Sequence, residues 1–357
     1  MKRAKNKQRF DLRSYRAPAF RSAVAILNNG PLSETDITAL ISQQGNERFI
    51  EFLNQNCLAC IFHTHLSEQG SQSPELETVR EALRPFALKC AARYLAQKRT
   101  LKKIHEVLET ASINYAVFKG AHVRESAYEQ PWLRTTADID VLVSNKDQSA
   151  AIDALRNSGM EYHHNPEVFS HEVTLTNSDT SVDLHWHIMR PGRTRVDMTD
   201  SLLKNMELTH GYWGMNPTAT LFVLLTHPAI NKYVCSPDAS LIKLVDLSLW
   251  MKHPDVDRDQ LLALINAAGL RTAAWSTLFL LHLLTNERDN KELVEELQPG
   301  VLQRKYIEFW VSMDLPTLLY SHRFLMRTAF SLSLHDNLSD MIRAVAQLMG
   351  YKLESKR

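Results

Sequence analysis

The sequence predicts an α+β fold in which a small mixed β-sheet core is flanked by helical regions on both sides. Three observations predict it: apolar residues recur at helical spacing from Pro18 to Ala111, short β-prone runs begin at Ile113, and leucine-rich helical spacing returns after Pro191-Gly192. The resulting boundaries are a basic disordered tail over 1–16, an N-terminal helical region over 17–112, a core over 113–190 and a C-terminal helical bundle over 191–357.

The composition indicates a globular chain without an obligatory polyanionic partner. The chain has 357 residues, of which 44% are hydrophobic, and its formal net charge is only +1. A chain of this length buries a substantial core, and a near-zero net charge gives no strong field toward nucleic acid or anionic lipid. No run approaches the ~18 apolar residues of a membrane span. We therefore expect a cytoplasmic location and no membrane partner.

The beginning of the chain is the exception to this charge balance, because basic residues crowd its first sixteen positions. They are Lys2, Arg3, Lys5, Lys7, Arg9, Arg13 and Arg16. The segment lacks the apolar region of a secretory signal. A solvated disordered tail is the simpler interpretation, and a docking arm for RNA, DNA or an acidic partner is the alternative.

The four cysteines, Cys57, Cys60, Cys90 and Cys235, are predicted to be reduced. The spacing Cys57-x-x-Cys60, followed by two histidines within five residues, raises the question of zinc. Structural zinc ligands usually come from two separated segments, whereas these lie on one amphipathic stretch. The pattern therefore favours cysteines in the core.

Helices alone are predicted before the core. Ser33 begins one of them as an N-cap, and the segment 75–110 is predicted as one long helix or as two helices joined at Pro85.

The core begins with a strand at Tyr115–Phe118 that ends at Lys119-Gly120, where a helix starts. The second strand, Asp138–Val143, is followed by a helix that starts near Ser144 and ends at Gly159. Three further strands are predicted at 160–164, 168–176 and 181–189.

Only helices are predicted after residue 191. They cover 217–230, 239–251, 258–268, 272–284 and at least three more segments up to 349. No repeat with a fixed period is present.

Carboxylates on neighbouring strands are the strongest chemical signal. Asp138 and Asp140 share one face of their strand because side chains alternate, and Asp183 occupies the equivalent face of a later strand. Carboxylate oxygens are the ligands that Mg²⁺ prefers, and three of them can hold two ions for phosphoryl chemistry. Solvated acids at a strand end are the alternative interpretation of Asp-x-Asp alone.

These residues carry a resemblance to a known family. The pattern Phe118-Lys119-Gly120, Tyr128, Arg134, Asp138-x-Asp140 and Val182-Asp183-Leu184-His185-Trp186 resembles the uncharacterised bacterial nucleotidyltransferases of the polymerase-beta-like superfamily, in their fifth group. The similarity is strong over about 113–190 and looser to about 285.

The resemblance implies an enzyme that uses an NTP, with ATP as the expected donor, and Mg²⁺ or Mn²⁺. It transfers a nucleotidyl group to a hydroxyl or phosphate acceptor. By this resemblance, Asp138 and Asp140 are the metal-binding pair and Asp183 is the third carboxylate. All three are then catalytic residues.

One departure from the wider superfamily concerns the turn after the first strand. That superfamily has Gly-Ser there, whereas this chain has Lys119-Gly120. An ammonium group and amides at a helix N-terminus bind phosphate on physical grounds. We expect Lys119 and Gly120 to bind the nucleotide, and another phosphate chemistry stays open.

The remaining predicted nucleotide-binding residues are Arg134, Lys243 and Asp246. Arg134 precedes the acid strand, where it can bind a phosphate, orient Asp138 or be a surface charge. Lys243 and Asp246 lie one turn apart on an otherwise apolar helix. In the family that the chain resembles, a polar helix at this place closes over the nucleotide; a buried ion pair between the two residues is the alternative.

Histidines near the third carboxylate are further candidates. His185 shares the face of Asp183, and His171 approaches from the paired strand, so both are possible metal ligands or general bases. His187 lies on the same predicted face. His122 and Arg124, in the helix after the first strand, are weaker candidates.

Three functional hypotheses follow. The first is Mg²⁺-dependent nucleotidyl transfer to a small molecule, peptide or protein. The second is a catalytically silent nucleotide-binding or scaffold protein. The third is an RNA-directed nucleotidyltransferase that uses the basic tail; nucleic acid is the less favoured partner because the net charge is close to zero.

Overall fold

The chain is described by a computed structural model over residues 10–30, 32–70, 73–163, 171–190, 192–236, 239–285 and 291–354. It has the predicted mixed α+β architecture. Within these residues, seven strands form one sheet in the order β3-β4-β5-β2-β1-β7-β6. The strands are β1 (Tyr115–Phe118), β2 (Asp138–Val143), β3 (Glu161–His163), β4 (Glu172–Thr176), β5 (Ser181–His185), β6 (Met206–Thr209) and β7 (Tyr212–Met215).

Helices precede, connect and follow the strands. Before β1 they are α1 (Ala17–Leu27), α2 (Glu34–Gln44), α3 (Asn46–Gln55), α4 (Ala59–Gln69) and α5 (Pro74–Thr110). Within the sheet region they are α6 (Gly120–Ala127), α7 (Gln148–Asn157) and α8 (Thr199–Leu203). After β7 they are α9 (Pro217–Lys232), α10 (Leu241–Trp250), α11 (Arg258–Ala268), α12 (Arg271–Thr285), α13 (Lys291–Leu297), α14 (Val301–Ser312), α15 (Leu315–Leu318), α16 (Arg323–Leu325) and α17 (Leu338–Glu354).

The helix α5 runs unbroken through Pro85, so the one-helix alternative is the correct one. Ser33 caps α2 as predicted, and its hydroxyl accepts a hydrogen bond from the Asp36 amide while the Asp36 carboxylate accepts one from the Ser33 amide.

The sheet is mixed because two of its strand pairs are parallel. β2 runs parallel to β5, and β1 runs parallel to β7, whereas the other neighbours are antiparallel. One face of the sheet packs on the C-terminal half of α5 and on α7 through Ile139, Val141, Val182 and Leu184. The opposite face, with Leu142, joins the larger core. The alternation predicted for β2 is therefore confirmed.

The larger core contains side chains from both helical regions. α1 packs against α4, α10 and α12, so helices from the two ends of the chain share one buried apolar cluster. Cys60 lies inside this cluster and Cys57 packs against it, which confirms the core assignment of both; the four cysteines are free.

The predicted disordered tail is wrong for the part that the structure describes. Residues 1–9 lie outside the described ranges, but Leu12–Arg16 form a π-helical turn in which Leu12 and Tyr15 are buried. The Arg16 guanidinium forms a 2.6 Å ion pair with Asp314. Two apolar side chains and one buried ion pair anchor a segment whose composition suggested only solvation.

The prediction of helices alone after residue 191 is also wrong. β6 and β7 form a hairpin that extends the sheet. Its turn, His210-Gly211, has φ values of 50° and 83°, which suit a tight hairpin turn. Both strands are only four residues long, and β6 is a largely exposed edge strand without clear alternation. The sequence feature that indicates this hairpin is the His210-Gly211 pair directly before the β-prone residues Tyr212 and Trp213.

The predicted strand ends at His164 and Val168 lie outside the described residues. Among the residues that are described, no helix is both long and apolar enough to cross a membrane.

Candidate active site

The parallel pairing of β2 and β5 brings acidic residues from two distant segments to one level. Asp140 lies opposite Asp183 in the register, and Asp183 lies opposite Thr174 on β4. Since the neighbouring residues of both strands face α5 and α7, Asp140 and Asp183 project together from the other face.

A cavity of about 410 Å³ lies in front of this face, and residues of α9 and α10 line it. The predicted site residues that line it are Lys119, Gly120, Arg134, Asp138, Asp140, His171, Asp183, Lys243 and Asp246. His185 lies behind them, in contact with Asp140. The volume is typical of a small-molecule site.

Asp140 is the buried centre of the acidic cluster. Its Oδ1 accepts hydrogen bonds from the Lys119 ammonium at 2.7 Å and from His185 Nε2 at 3.0 Å. Burial alone would raise the pKa of Asp140, but the Lys119 charge and the His185 hydrogen bond hold it well below its usual value. Asp140 is thus ionised over the whole physiological range.

Asp138 and Asp183 have the opposite electrostatics. Burial and the Asp140 charge raise the pKa of Asp138, whose Oδ1 accepts a 3.3 Å hydrogen bond from the Thr136 hydroxyl. Burial also raises the pKa of Asp183, against a 2.8 Å hydrogen bond from the Thr174 hydroxyl and together with repulsion from Asp138 and Asp140. The cluster therefore carries more negative charge than its surroundings balance.

The Lys119-Gly120 turn is shaped by a close approach of Arg134. Lys119 has φ 55°, a left-handed conformation that costs energy for a residue with a Cβ. A Cβ on Gly120 would lie 2.4 Å from Arg134 Nη1, so only glycine fits beside the guanidinium. Lys119 Nζ points to Asp140 and lies 4.7 Å from the centre of the Phe118 ring.

Arg134 and Asp246 form a buried ion pair on the cavity wall. Arg134 Nη2 and Nε lie 2.6 Å and 3.1 Å from Asp246 Oδ2, and the Tyr128 hydroxyl donates to Asp246 Oδ1 at 2.7 Å. The pair connects the loop before β2 to α10. Of the alternatives left open for Asp246, the structure favours the buried ion pair, with Arg134 as its partner.

Basic side chains line the same cavity as the acids. Besides Lys119 and Lys243, they are Arg190, Arg193, Lys232 and Arg327. Sequence reasoning missed these four, because they come from three distant segments with no shared motif. Burial lowers the pKa of Lys243 to about 8, and the nearby charges of Lys232 and Arg134 act in the same direction.

Glu172 is a further residue of the site that sequence reasoning missed. It lies opposite His185 in the pairing of β4 and β5, and its Oε2 is 3.1 Å from His185 Nδ1. His171 Nε2 lies 3.3 Å from the same oxygen. The available signal was that Glu172 and Thr174 alternate on the face of β4 that meets Asp183.

Other predicted candidates lie outside the cavity. His122 is buried and its Nε2 bonds to the Met215 carbonyl at 2.9 Å, while Arg124 bonds to Gln97. His187 lies beyond the end of β5 and pairs with Asp197 at 3.1 Å. These three side chains have structural partners.

The donor set fits a divalent cation. Asp140, Asp183 and His185 each offer one ligand atom, and these atoms lie within 4.8 Å of one another. Burial raises the pKa of Asp138 and of Asp183, and repulsion from neighbouring carboxylates raises both further; a divalent cation would offset this negative charge.

A family model described as an uncharacterised nucleotidyltransferase matches residues 42–286. The chain belongs to this family. The match covers more than half of the nucleotidyltransferase chain and begins in α2, well before the 113–190 segment that carried the resemblance. A comparison with curated proteins found no match. Family membership supports nucleotidyl transfer in general and a nucleotide substrate.

Proposed function

We propose that this nucleotidyltransferase transfers a nucleotidyl group from an NTP, with ATP as the expected donor, to an acceptor hydroxyl or phosphate. The observation that carries the proposal is the meeting of Asp138, Asp140 and Asp183 in one cavity with Lys119. The three carboxylates would hold Mg²⁺ or Mn²⁺ in a two-metal arrangement. When bound, such ions lower the pKa of an attacking hydroxyl and stabilise charge on the phosphates.

The chain's own residues divide the remaining work. Asp140, which is ionised at every physiological pH, is suited to permanent ligation. Asp183 has a raised pKa and therefore a higher proton affinity, which suits it to receive the proton of the acceptor hydroxyl. Its Thr174 hydrogen bond fixes the carboxylate orientation.

The basic side of the cavity supports a triphosphate as the ligand. Lys232, Lys243, Arg190 and Arg327 line the same cavity as the acids and supply positive charge for an anion. The acids would then lie at the reacting phosphorus, while the lysines and arginines hold the leaving phosphates. The acceptor is a small molecule, peptide or protein that reaches the cavity past these groups.

Labelled nucleotides test this proposal directly. Each NTP, carrying label on its α-phosphate, is incubated with the chain, Mg²⁺ or Mn²⁺ and a cell extract, and nucleotidylated species are identified by mass spectrometry. We expect a mass increase of one nucleoside monophosphate on an acceptor, and no product with EDTA. Label found only in free NTP, although the nucleotide raises the melting temperature, would instead favour a silent nucleotide-binding protein.

The lowered pKa of Lys243 predicts a pH dependence of nucleotide binding. A bound triphosphate favours the ammonium form, so affinity is highest below pH 8 and falls above it, by at most about tenfold per pH unit. The measurement is the Kd of a non-hydrolysable NTP analogue between pH 6.5 and pH 9.5, which are about 1.5 units either side of this pKa.

Two variants separate Lys243 from the other titrating groups. Lys243→Arg keeps its charge throughout and should bind tightly without the decline, whereas Lys243→Met should bind weakly at every pH. An identical decline in the natural chain and in both variants would contradict the assignment.

A further inference from the structure

A second group of ligand atoms lies beside the carboxylate cluster, shares His185 with it and differs from it in chemistry. Glu172 Oε2 is 3.1 Å from His185 Nδ1 and 3.3 Å from His171 Nε2. Ligand atoms of His171, Glu172 and His185 all lie within 4.8 Å of one another. We propose that these three residues bind one transition-metal cation of the Zn²⁺ or Co²⁺ type, separately from the ions at Asp138 and Asp183.

The spacing of the ligand atoms matches that of a tetrahedral site. Metal–nitrogen and metal–oxygen bonds of about 2.0–2.1 Å place tetrahedral ligands about 3.3 Å apart. The two contacts of Glu172 Oε2, at 3.1 Å and 3.3 Å, have this length. The ring centres of His171 and His185 are 5.8 Å apart, and the ring planes meet at 62°, so both rings lie beside the same Glu172 oxygen without stacking.

The hydrogen bonding of His185 orients it as a ligand. A carboxylate only accepts hydrogen bonds, so the 3.0 Å contact with Asp140 Oδ1 fixes the proton on Nε2. In the neutral imidazole, which is the form that binds a metal, the other nitrogen, Nδ1, carries a lone pair toward Glu172. Metal-binding histidines typically donate their second nitrogen to a carboxylate in this way.

A buried nitrogen without a hydrogen-bond partner provides an independent observation. His185 is 1% exposed, and its Nδ1 has no hydrogen-bond partner within the described part of the chain, although a carboxylate oxygen is 3.1 Å away. His171 is 5% exposed, and its Nε2 faces the same oxygen at 3.3 Å. A cation between these nitrogens and the carboxylate would satisfy all three buried groups.

The charges around Glu172 are compatible with a cation. Lys119 is engaged with Asp140, and among the described residues Glu172 forms no ion pair with a lysine or arginine. Asp140 adds a second negative charge behind His185. Two imidazoles and one carboxylate form a typical zinc ligand set, whereas Mg²⁺ prefers oxygen ligands throughout.

The site opens to the cavity rather than being closed by protein. His171 and Glu172 both line the 410 Å³ cavity, so a metal ion has an entry path and its fourth position would face the substrate space. Three protein ligands with one open position are characteristic of catalytic rather than structural zinc sites.

Cobalt binding to the full chain tests the site without reference to any activity. The chain is stripped with EDTA and titrated with Co²⁺ in the presence of excess Mg²⁺, which occupies the oxygen ligands. We expect one Co²⁺ per chain with the strong visible absorption of tetrahedral coordination. Glu172→Gln and His171→Asn should each weaken binding at least about 100-fold.

Two matched variants serve as controls. His187→Gln changes a histidine two residues from His185 that pairs with Asp197, and Asp183→Asn removes a carboxylate of the neighbouring group. Both should keep the tetrahedral cobalt spectrum. A weak octahedral spectrum that persists in Glu172→Gln but disappears in Asp183→Asn would overturn the proposal, as would the absence of any binding.

X-ray absorption of the zinc-loaded natural chain covers the case in which the variants fold poorly. We expect a coordination shell that contains two imidazoles and one carboxylate. A shell made of oxygen ligands alone would contradict the site. Neither readout requires nucleotidyl transfer, so failure of the metal site and failure of the proposed function are distinguishable.

Discussion

Asp138→Asn is expected to abolish nucleotidyl transfer while the melting temperature stays equal to or above that of the natural chain. Activity should fall by about 10³-fold or more, because a lost metal ligand removes several kcal/mol of transition-state stabilisation. Stability should not fall, because burial and the Asp140 charge raise the pKa of Asp138. Its ionised form is disfavoured by folding, and asparagine removes that charge.

Asp140→Asn provides the contrast, since its pKa is shifted in the opposite direction. The ionised carboxylate stabilises the fold above the pKa of the unfolded state, and this contribution is lost as the pH falls through the lower folded pKa. The variant should therefore be inactive and also less stable at neutral pH, with Lys119 left without its carboxylate. The difference in stability from the natural chain should shrink in acid.

Transfer activity and thermal unfolding of the same preparations decide both expectations. Asp153→Asn, at a surface carboxylate that is 68% exposed, should change neither property. Asp138→Asn with full turnover would remove the two-metal assignment. A large fall in its melting temperature would instead contradict the explanation that folding disfavours the ionised form of Asp138.

Breaking the Arg134–Asp246 ion pair is expected to have the largest effect on stability. Removal of one partner leaves a charge buried: Arg134 is 6% exposed and Asp246 is 1% exposed. Such changes cost about 3–5 kcal/mol. Arg134→Met and Asp246→Asn should each lower the free energy of unfolding by this amount, as measured by urea denaturation.

A double variant and nucleotide affinity separate a structural role from a binding role. Arg134→Met combined with Asp246→Leu removes both charges and should be more stable than either single variant. If Arg134→Met instead unfolds like the natural chain but loses nucleotide affinity, the guanidinium binds phosphate, as the sequence first suggested. This comparison tests the prediction that Arg134 and Asp246 bind the nucleotide.

The ion pair also explains how the helical region contributes to the site. Asp246 on α10 and Arg134 before β2 are 112 residues apart, and the Arg134 guanidinium packs on Gly120 at the start of α6. A change at Asp246 is therefore transmitted to the turn that holds Lys119. We expect variants at Asp246 to change activity through this turn.

Local patterns were enough to predict the acid strands. The two-residue period of Asp138-x-Asp140 and of Asp183-x-His185 identified which side chains share a face, and the structure places Asp140 and Asp183 opposite each other. Such periods depend only on strand geometry, which is a property of a few consecutive residues. The short edge hairpin at β6 and β7 lacked this alternation, and so it was not predicted.

By itself, the amino-acid sequence determined the strand and helix texture, the acid pair, the third carboxylate and the Lys-Gly turn, because each is encoded within a few neighbouring positions. Only the tertiary structure decided the partners of those residues. It paired Arg134 with Asp246, brought Glu172 against two histidines and assembled basic side chains from distant segments in one cavity. Contacts between distant segments depend on how strands register and helices pack, and one local sequence pattern is compatible with many such arrangements.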